Sequence, residues 1–359
     1  MVSVAISLVI LAALVAMFVN TSGRSREMAR TNSMIENGRL ATQVLESDII
    51  HAGFWGTHVP AFDDQTTTAV PADTPLGVPD PCLAYDPTNW DDQYKVNLIG
   101  LPVQVYDAAS ICGGVITNKR ASTDVLVVRH ADTCTLETGS ANCQAEVAGR
   151  LYFQSSLCLT DLVPYVFDTT GFTVLQRDCT TAAERRKFVS NIYYVRDYAV
   201  TAGDGIPTLM RSEFDLSAGG VLEHQPPVAL IEGIESFQVE LGIDDISETG
   251  AAVDYTAAVD WLDPSIRTTP TNRGDGVPDA NFITCTTAAP CTVPELMNVT
   301  AVKLYVLARA REPSRGYTDT KIYAMAGGTT LGPFNDNFKR HVFVTTVGLP
   351  NFAGRRFTP

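Results

Sequence analysis

Residues 1–56 read MVSVAISLVILAALVAMFVNTSGRSREMARTNSMIENGRLATQVLESDIIHAGFWG, and this stretch decides the architecture. Met1 to Val19 is apolar except for Ser3 and Ser7 and carries no charge, Gly or Pro. At roughly 1.5 Å per residue the run spans about 28 Å, close to one hydrocarbon core. A cleaved secretory signal fits badly. No basic residue precedes the run, the run exceeds a usual signal core, and Asn20–Gly23 is a poor small-residue cleavage site. The expectation is a helix that stays on the protein and enters a membrane.

The polar sequence that follows keeps a helical period. Met34, Ala41, Leu45 and Ile49 form a stripe widened by Val44, while Glu36, Arg39, Gln43 and Glu46 lie largely elsewhere on the helix surface. Gly38 weakens a helix by about 1 kcal/mol relative to Ala, so local melting or a kink is expected there. Gly53 is the expected C-terminal stop. Three segments follow: 1–19 as a transmembrane or filament-core helix, 20–56 as an amphipathic stalk, and 57–359 as a β-rich domain.

The remainder is large enough for a substantial core. Formal net charge is −14, which repels phosphate backbones, so nucleic acid is not an expected partner. Arg24, Arg26 and Arg30 form a local basic exception just past the apolar run. By the positive-inside tendency they belong in the cytoplasm. The cysteines argue the reverse. There are eight, Cys82, Cys112, Cys134, Cys143, Cys158, Cys179, Cys285 and Cys291, with no Cys-x-x-Cys pair and no zinc spacing. Cys134 and Cys143 flank a Thr/Ser/Gly/Asn-rich stretch, and Cys285 and Cys291 flank TTAAP, as disulfide-closed loops do. Sequential pairing is the simplest choice among on the order of a hundred connectivities. Disulfides imply an oxidising compartment, the periplasm or cell surface.

Residues 57–82 carry five prolines and a Thr run and read as a loop or linker. Beyond them, Asp124–Arg129, Lys187–Val195, Ser236–Leu241, Thr300–Ala308 and His341–Thr346 read as strands, rich in Val, Tyr and Phe. Val228–Ile234 fits a short helix or a strand equally well. The expected fold is α+β: a long N-terminal helix packed on a mostly antiparallel sheet with long, disulfide-closed loops.

Catalytic patterns are missing. The histidines, five in all, lack ligand spacing, and no nucleophile elbow, phosphate loop or zinc helix occurs. Asp63–Asp64, Asp91–Asp92 and Asp244–Asp245 read as solvated turns rather than acid–base pairs. An enzyme is not expected. One loop, 263–281 (DPSIRTTPTNRGDGVPDAN), has the composition of a calcium loop, with Asp263, Asn272, Asp275, Asp279 and Asn281 as oxygen ligands around Gly276. Arg273 among them opposes a cation, and an ion-free Asp/Asn/Gly/Pro turn is the other reading. The tripeptide Arg273-Gly274-Asp275 spells a cell-attachment signal, but three residues recur by chance too often to carry adhesion.

MVSVAISLVILAALVAMF followed by ENGRLATQVLESDIIHAGFWG resembles the N-terminus of type IV minor pilins, most closely the PilW family. The resemblance returns in VTAVKLYVLAR at 299–309, GYTDTK at 316–321, NFKRHVFV at 337–344 and AGRR at 353–356. It implies a pilin-type helix held in the bacterial inner membrane before assembly, with the domain in the periplasm and later on the pilus surface. It implies partners as well: membrane lipid first, then other minor pilins and the major pilin through the N-terminal helix, in a complex that primes assembly and helps present a tip adhesin. It also implies a basic leader ending in Gly, then Phe and an essential Glu, ahead of Met1. Two alternatives stay open: a type II secretion pseudopilin similar to GspJ, and a membrane-anchored adhesin or binding module.

Overall fold

The computed structural model describes residues 2–136, 143–261, 269–279 and 282–356. Val2–Ile49 form one unbroken helix, α1, of 48 residues. It stops before the 20–56 segment ends. The chain turns at 50–53, where Gly53 takes φ 72° and donates its N–H to Arg129 O. That left-handed backbone is open to Gly at little cost, so the expected stop residue lies just past the helix end.

Fourteen strands follow among the described residues, with three short helices. The helix α2 (Asp92–Gly100) precedes β1 (Val103–Tyr106) and β2 (Val125–Ala131). Next come β3 (Tyr152–Ser155), β4 (Tyr165–Asp168), β5 (Arg185–Arg196), β6 (Thr208–Leu216), β7 (Leu222–His224) and β8 (Val228–Glu232). These eight strands make the first sheet, in the order β1-β2-β5-β3-β4, with β6 joining β5 to β7 and β8. The second sheet uses β9 (Ile234–Ile243), β10 (Phe282–Ile283), β11 (Val299–Arg309), which follows α3 (Val293–Met297), and β14 (Arg340–Gly348), in the order β10-β9-β11-β14. A ribbon of β12 (Tyr323–Ala324) and β13 (Thr330–Leu331) and a last helix α4 (Pro350–Arg356) complete the fold. Every ladder is antiparallel. The undecided Val228–Ile234 is strand, broken at Gly233 (φ 80°), where a Cβ would lie 2.8 Å from Arg309 O.

The main core joins α1 to both sheets. Met34, Ala41, Leu45 and Ile49 pack with Val302, Leu304 and Val306 of the second sheet and with Leu126, Val128 and Tyr193 of the first. The expected stripe is thus the buried seam. A separate aromatic core of Trp55, Trp90, Phe153, Phe167, Phe188 and Phe214 lies under α2, where offset and edge-on rings fill the space. The disulfides pair sequentially, Cys82–Cys112, Cys134–Cys143, Cys158–Cys179 and Cys285–Cys291.

Gly38 does not kink the helix. α1 runs through it, and the reason for a glycine lies outside the helix: a Cβ there would come 2.0 Å from a ring carbon of Phe343 on β14. Packing overrides propensity. Gly38→Ala should gain about 1 kcal/mol of helix propensity and lose about 1–3 kcal/mol to overpacking, for a net loss in chemical unfolding. Adding Phe343→Leu should recover part of it. A Gly38→Ala variant more stable than the parent would remove this account.

Candidate functional site: the N-terminal helix and its seat

The helix α1 divides into two parts by environment. From Ile6 to Val19 every large apolar side chain is at least 54% exposed, up to 73% at Phe18. From Met34 to Ile49 the apolar stripe is buried. The helix that carries it, over Ile6–Ile49, is long and apolar enough at its N-terminal end to cross a membrane.

Polar contacts fix the buried part along its axis. At the entry, Ser314 Oγ donates to Glu27 at 2.6 Å and Lys339 pairs with the same carboxylate. These hydrogen bonds, from Lys339 first, hold the Glu27 carboxyl below its ordinary range. Arg30 reaches Pro313 O at 3.1 Å and also pairs with Glu312. Midway, Asn37 Nδ2 donates to Glu232 O at 2.9 Å. Near the C-terminal end, Asp48 accepts from Asn191 Nδ2 at 3.0 Å and Tyr193 OH at 2.9 Å, and meets His130 Nε2 at 3.0 Å. The other His130 nitrogen lies 2.8 Å from Ala131 O. Both neighbours only accept, so the ring is best satisfied with a proton on each nitrogen. Burial pushes His130 down, but the hydrogen bond and charge of Asp48 more than offset it and its pKa is raised.

The C-terminal residues close the seat from the far side. Arg356 is buried and donates to Asp63 at 3.1 Å, Asp244 at 3.0 Å, Tyr255 OH at 2.9 Å and Met297 O at 2.9 Å. Arg355 donates to Gly53 O at 2.9 Å, tying α4 to the turn after α1. A second buried cluster centres on Arg340, which pairs with Glu235 and with Asp319 and Asp336 at 2.9 and 2.6 Å. Breaking such buried pairs one-sidedly costs about 3–5 kcal/mol.

The side chains of the loop read for calcium have these partners within the fold. Asp275 accepts from Val277 N, and Asp279 accepts from Asp245 N and Ile246 N. Asn272 binds Asp260 N and Ala258 O, and buried Arg273 donates to carbonyls at 254, 257 and 272. Asp263 and Asn281 lie outside the described residues. Among the described residues, no three His, Cys, Asp or Glu side chains gather as a metal group.

Residues 192–351 match the family model described as type IV pilus-assembly protein W, PilW. The PilW resemblance is borne out. The matched stretch holds the whole second sheet and three of the segments that carried the resemblance, VTAVKLYVLAR, GYTDTK and NFKRHVFV. Asp319 and Arg340, the partners in the buried cluster, come from the last two. The AGRR segment and residues 1–56 lie outside it. No curated protein matches the chain. Among solved structures, the type IV-like pilin TTHA1219 from Thermus thermophilus is 12% identical, with 89% of this chain and 97% of that chain covered and a TM-score of 0.34; at that distance it bears no argument. Residues 192–351, less than half of the chain, are thus similar to the PilW family.

The Asp48–His130 pair generates a pH test. A raised folded pKa means the pair's stability is fully present below the ordinary histidine value near 6.5 and is lost as pH rises through the raised value. Buried His58, lowered to about 4 by burial and then by Arg355, has the opposite sign, losing stability as pH falls below the ordinary value. His224, lowered to about 3 by burial and then by Arg129, behaves likewise. His130→Gln isolates the pair. Its penalty in urea unfolding should be about 1–3 kcal/mol near pH 5.5 and smaller near pH 9. A penalty that does not shrink overturns the charged pair.

Proposed function

We propose that this protein is a minor pilin of the type IV pilus that acts in the complex priming assembly at the tip. Its role is structural, through contacts with other pilus subunits, rather than catalytic. The observation that carries the reading is one continuous helix, apolar and exposed from Ile6 to Val19, seated firmly on a disulfide-closed domain. Before assembly the exposed part lies in the inner membrane with the domain in the periplasm; afterwards the same surface packs against neighbouring helices of minor and major pilins. Lipid is as apolar as leucine, so the transfer gains little from hydrophobicity, and close packing with paired polar groups must select the partner. Presentation of a tip adhesin follows from a position at the filament end. The PilW match over 192–351 supports this reading.

The test is a charge in the middle of the run. Leu11→Asp should cost about 2.5–3.5 kcal/mol on insertion scales and abolish membrane retention and surface pili, while the disulfide-closed domain still forms. A chain starting near Gly56 should not restore pili in a strain lacking the gene. Restoration at native level ends the pilin reading. Loss of secretion of a folded enzyme with pili intact replaces it with the pseudopilin.

A further inference from the structure

The second sheet ends in a long open edge. Among the described residues β14 pairs with β11 on one side and with no strand on the other, and its nine residues keep one register throughout. The other strands with a single partner, β1, β4, β7, β8, β10, β12 and β13, have only two to five residues. Edges are ordinarily kept short, bent by a bulge, or guarded by Pro or Lys. Between His341 and Gly348, β14 carries no Pro, no Lys and no bulge.

The ladder fixes which groups point outward. Ala310 N donates to Lys339 O at one end of the pairing, and Leu349 N donates to Thr300 O at the other. Bonded positions alternate in an antiparallel ladder. The odd-numbered residues 341–347 therefore bond to β11, and Val342, Val344, Thr346 and Gly348 turn their N–H and C=O groups to the open side. Those groups have no other partner among the described residues. Val344 is 51% exposed, Thr346 and Gly348 are exposed, and a Cβ on Gly348 would meet open space.

β14 also lies along α1 and points the same way. Glu27 pairs with Lys339, Gly38 lies against Phe343, and Asn351 Nδ2 donates to Ile50 O at 3.2 Å. The helix rises about 35 Å over 27–50, and the strand about 40 Å over 339–351. This limits what can join the edge. Two copies of β14 paired antiparallel would point their apolar runs in opposite directions, which one membrane or one filament does not allow. Paired parallel about a two-fold axis, identical residues would lie level, with outward groups facing each other. A parallel ladder needs them staggered by one residue. The edge thus closes no symmetric pair with a second copy.

Area narrows the choice further. Nine strand residues extend about 30 Å and a sheet is about 10 Å thick, so the contact covers on the order of 600 Å² in total, below the roughly 1,000 Å² of a stable free complex. Two chains held side by side by their helices meet at high effective concentration, and there a contact of this size suffices. We propose that the open edge of β14 receives an unpaired strand of a different subunit, one anchored by its own apolar helix beside α1. The exposed side chains along the edge, His341, Val344 and Thr346, offer no fixed charge, so the main-chain ladder carries recognition and a β-branched strand fits it best. The proposal rests on the reading that α1 holds this chain beside other subunits in the membrane and then in the filament.

The test places a photo-crosslinking benzoylphenylalanine at Thr346 of the full chain, in piliated cells that lack the native gene. A chain not retained in the membrane, or pili that persist without the gene, refutes the pilus reading. A retained chain that gives no protein adduct overturns the edge proposal alone. The expected result is an adduct with a membrane-retained chain of different mass, formed in intact membranes and lost when detergent disperses them before irradiation. Val344→Pro and Gly348→Pro remove outward N–H groups and leave the β11 ladder intact. Each should lower the adduct yield about tenfold, and Val344→Ala far less, with the four disulfides still formed. Equal loss in Val344→Pro and Val344→Ala, or no loss in either proline variant, overturns docking through the main chain. An adduct of twice this chain's mass replaces the different subunit with a second copy. An adduct that survives detergent overturns the tethered partner, and this comparison stands on the unsubstituted edge if a proline variant does not fold.

Discussion

One helix has to satisfy two solvents. The exposed part of α1 needs an apolar surroundings that the domain does not provide, and the buried part needs a seat tight enough to hold the whole helix in place. These demands conflict if the boundary between them can drift. An apolar seam alone does not fix it, because aliphatic side chains pack on a β-sheet in several neighbouring positions at similar cost. What fixes it is the series of directional contacts along the helix: Glu27 with Ser314 and Lys339, Asn37 with Glu232 O, and Asp48 with Asn191, Tyr193 and His130. A shift by one residue turns each of these side chains by about 100° and leaves the half-buried carboxylate of Asp48 without its partners.

The rest of the domain serves that seat. The second sheet lies under α1, and the first meets its C-terminal end through Asp48. The two buried arginine clusters act where the chain has to return to the helix. Arg340 gathers Glu235, Asp319 and Asp336, which anchors the loop that supplies Ser314 and Lys339. Arg356 gathers Asp63 and Asp244, and with Arg355 it closes the irregular segment after α1 against the last helix. Buried ion pairs seldom add much stability over apolar packing. Their effect here is geometric: a guanidinium with several fixed acceptors has one position, and so do the loops that bring those acceptors.

The sequence made the helix legible because its two patterns are strong: a run from Met1 to Val19 broken only by Ser3 and Ser7, then a stripe of Met34, Ala41, Leu45 and Ile49. Strands with a fully buried face, such as β9 and β11, were legible for the same reason. The polar seat was not. Asp48 and Glu27 sit among polar neighbours on a helix surface, and nothing local separates a carboxylate that will meet His130 across the fold from one that will meet water. Gly38 shows the same limit in reverse. Read locally it weakens a helix, and only the approach of Phe343 from a strand more than three hundred residues away explains it. The short elements α2, β7 and β12 are not legible, because two to nine residues carry too little periodicity.

The disulfides lie outside the helix itself. They close loops with separations of 30, 9, 21 and 6 residues, and only the last, Cys285–Cys291, reaches the main core, where Cys285 is buried. Each stabilises mainly by restricting the unfolded chain, by about 2–4 kcal/mol with the shortest loop least, and none crosses from α1 to the domain. Apart from the peptide chain at 50–53, the helix is therefore held by non-covalent contacts. A pull along its axis is resisted by Glu27, Asn37 and Asp48, because sliding breaks their bonds at once, while the apolar seam yields more gradually. The load passes from those side chains into β14, β8 and β5 and from there into both sheets. On the proposed reading, a subunit drawn from one environment to another by its helix needs this order of strengths: polar contacts that transmit force, an apolar seam that excludes water from them, and loops that stay closed while the load is carried.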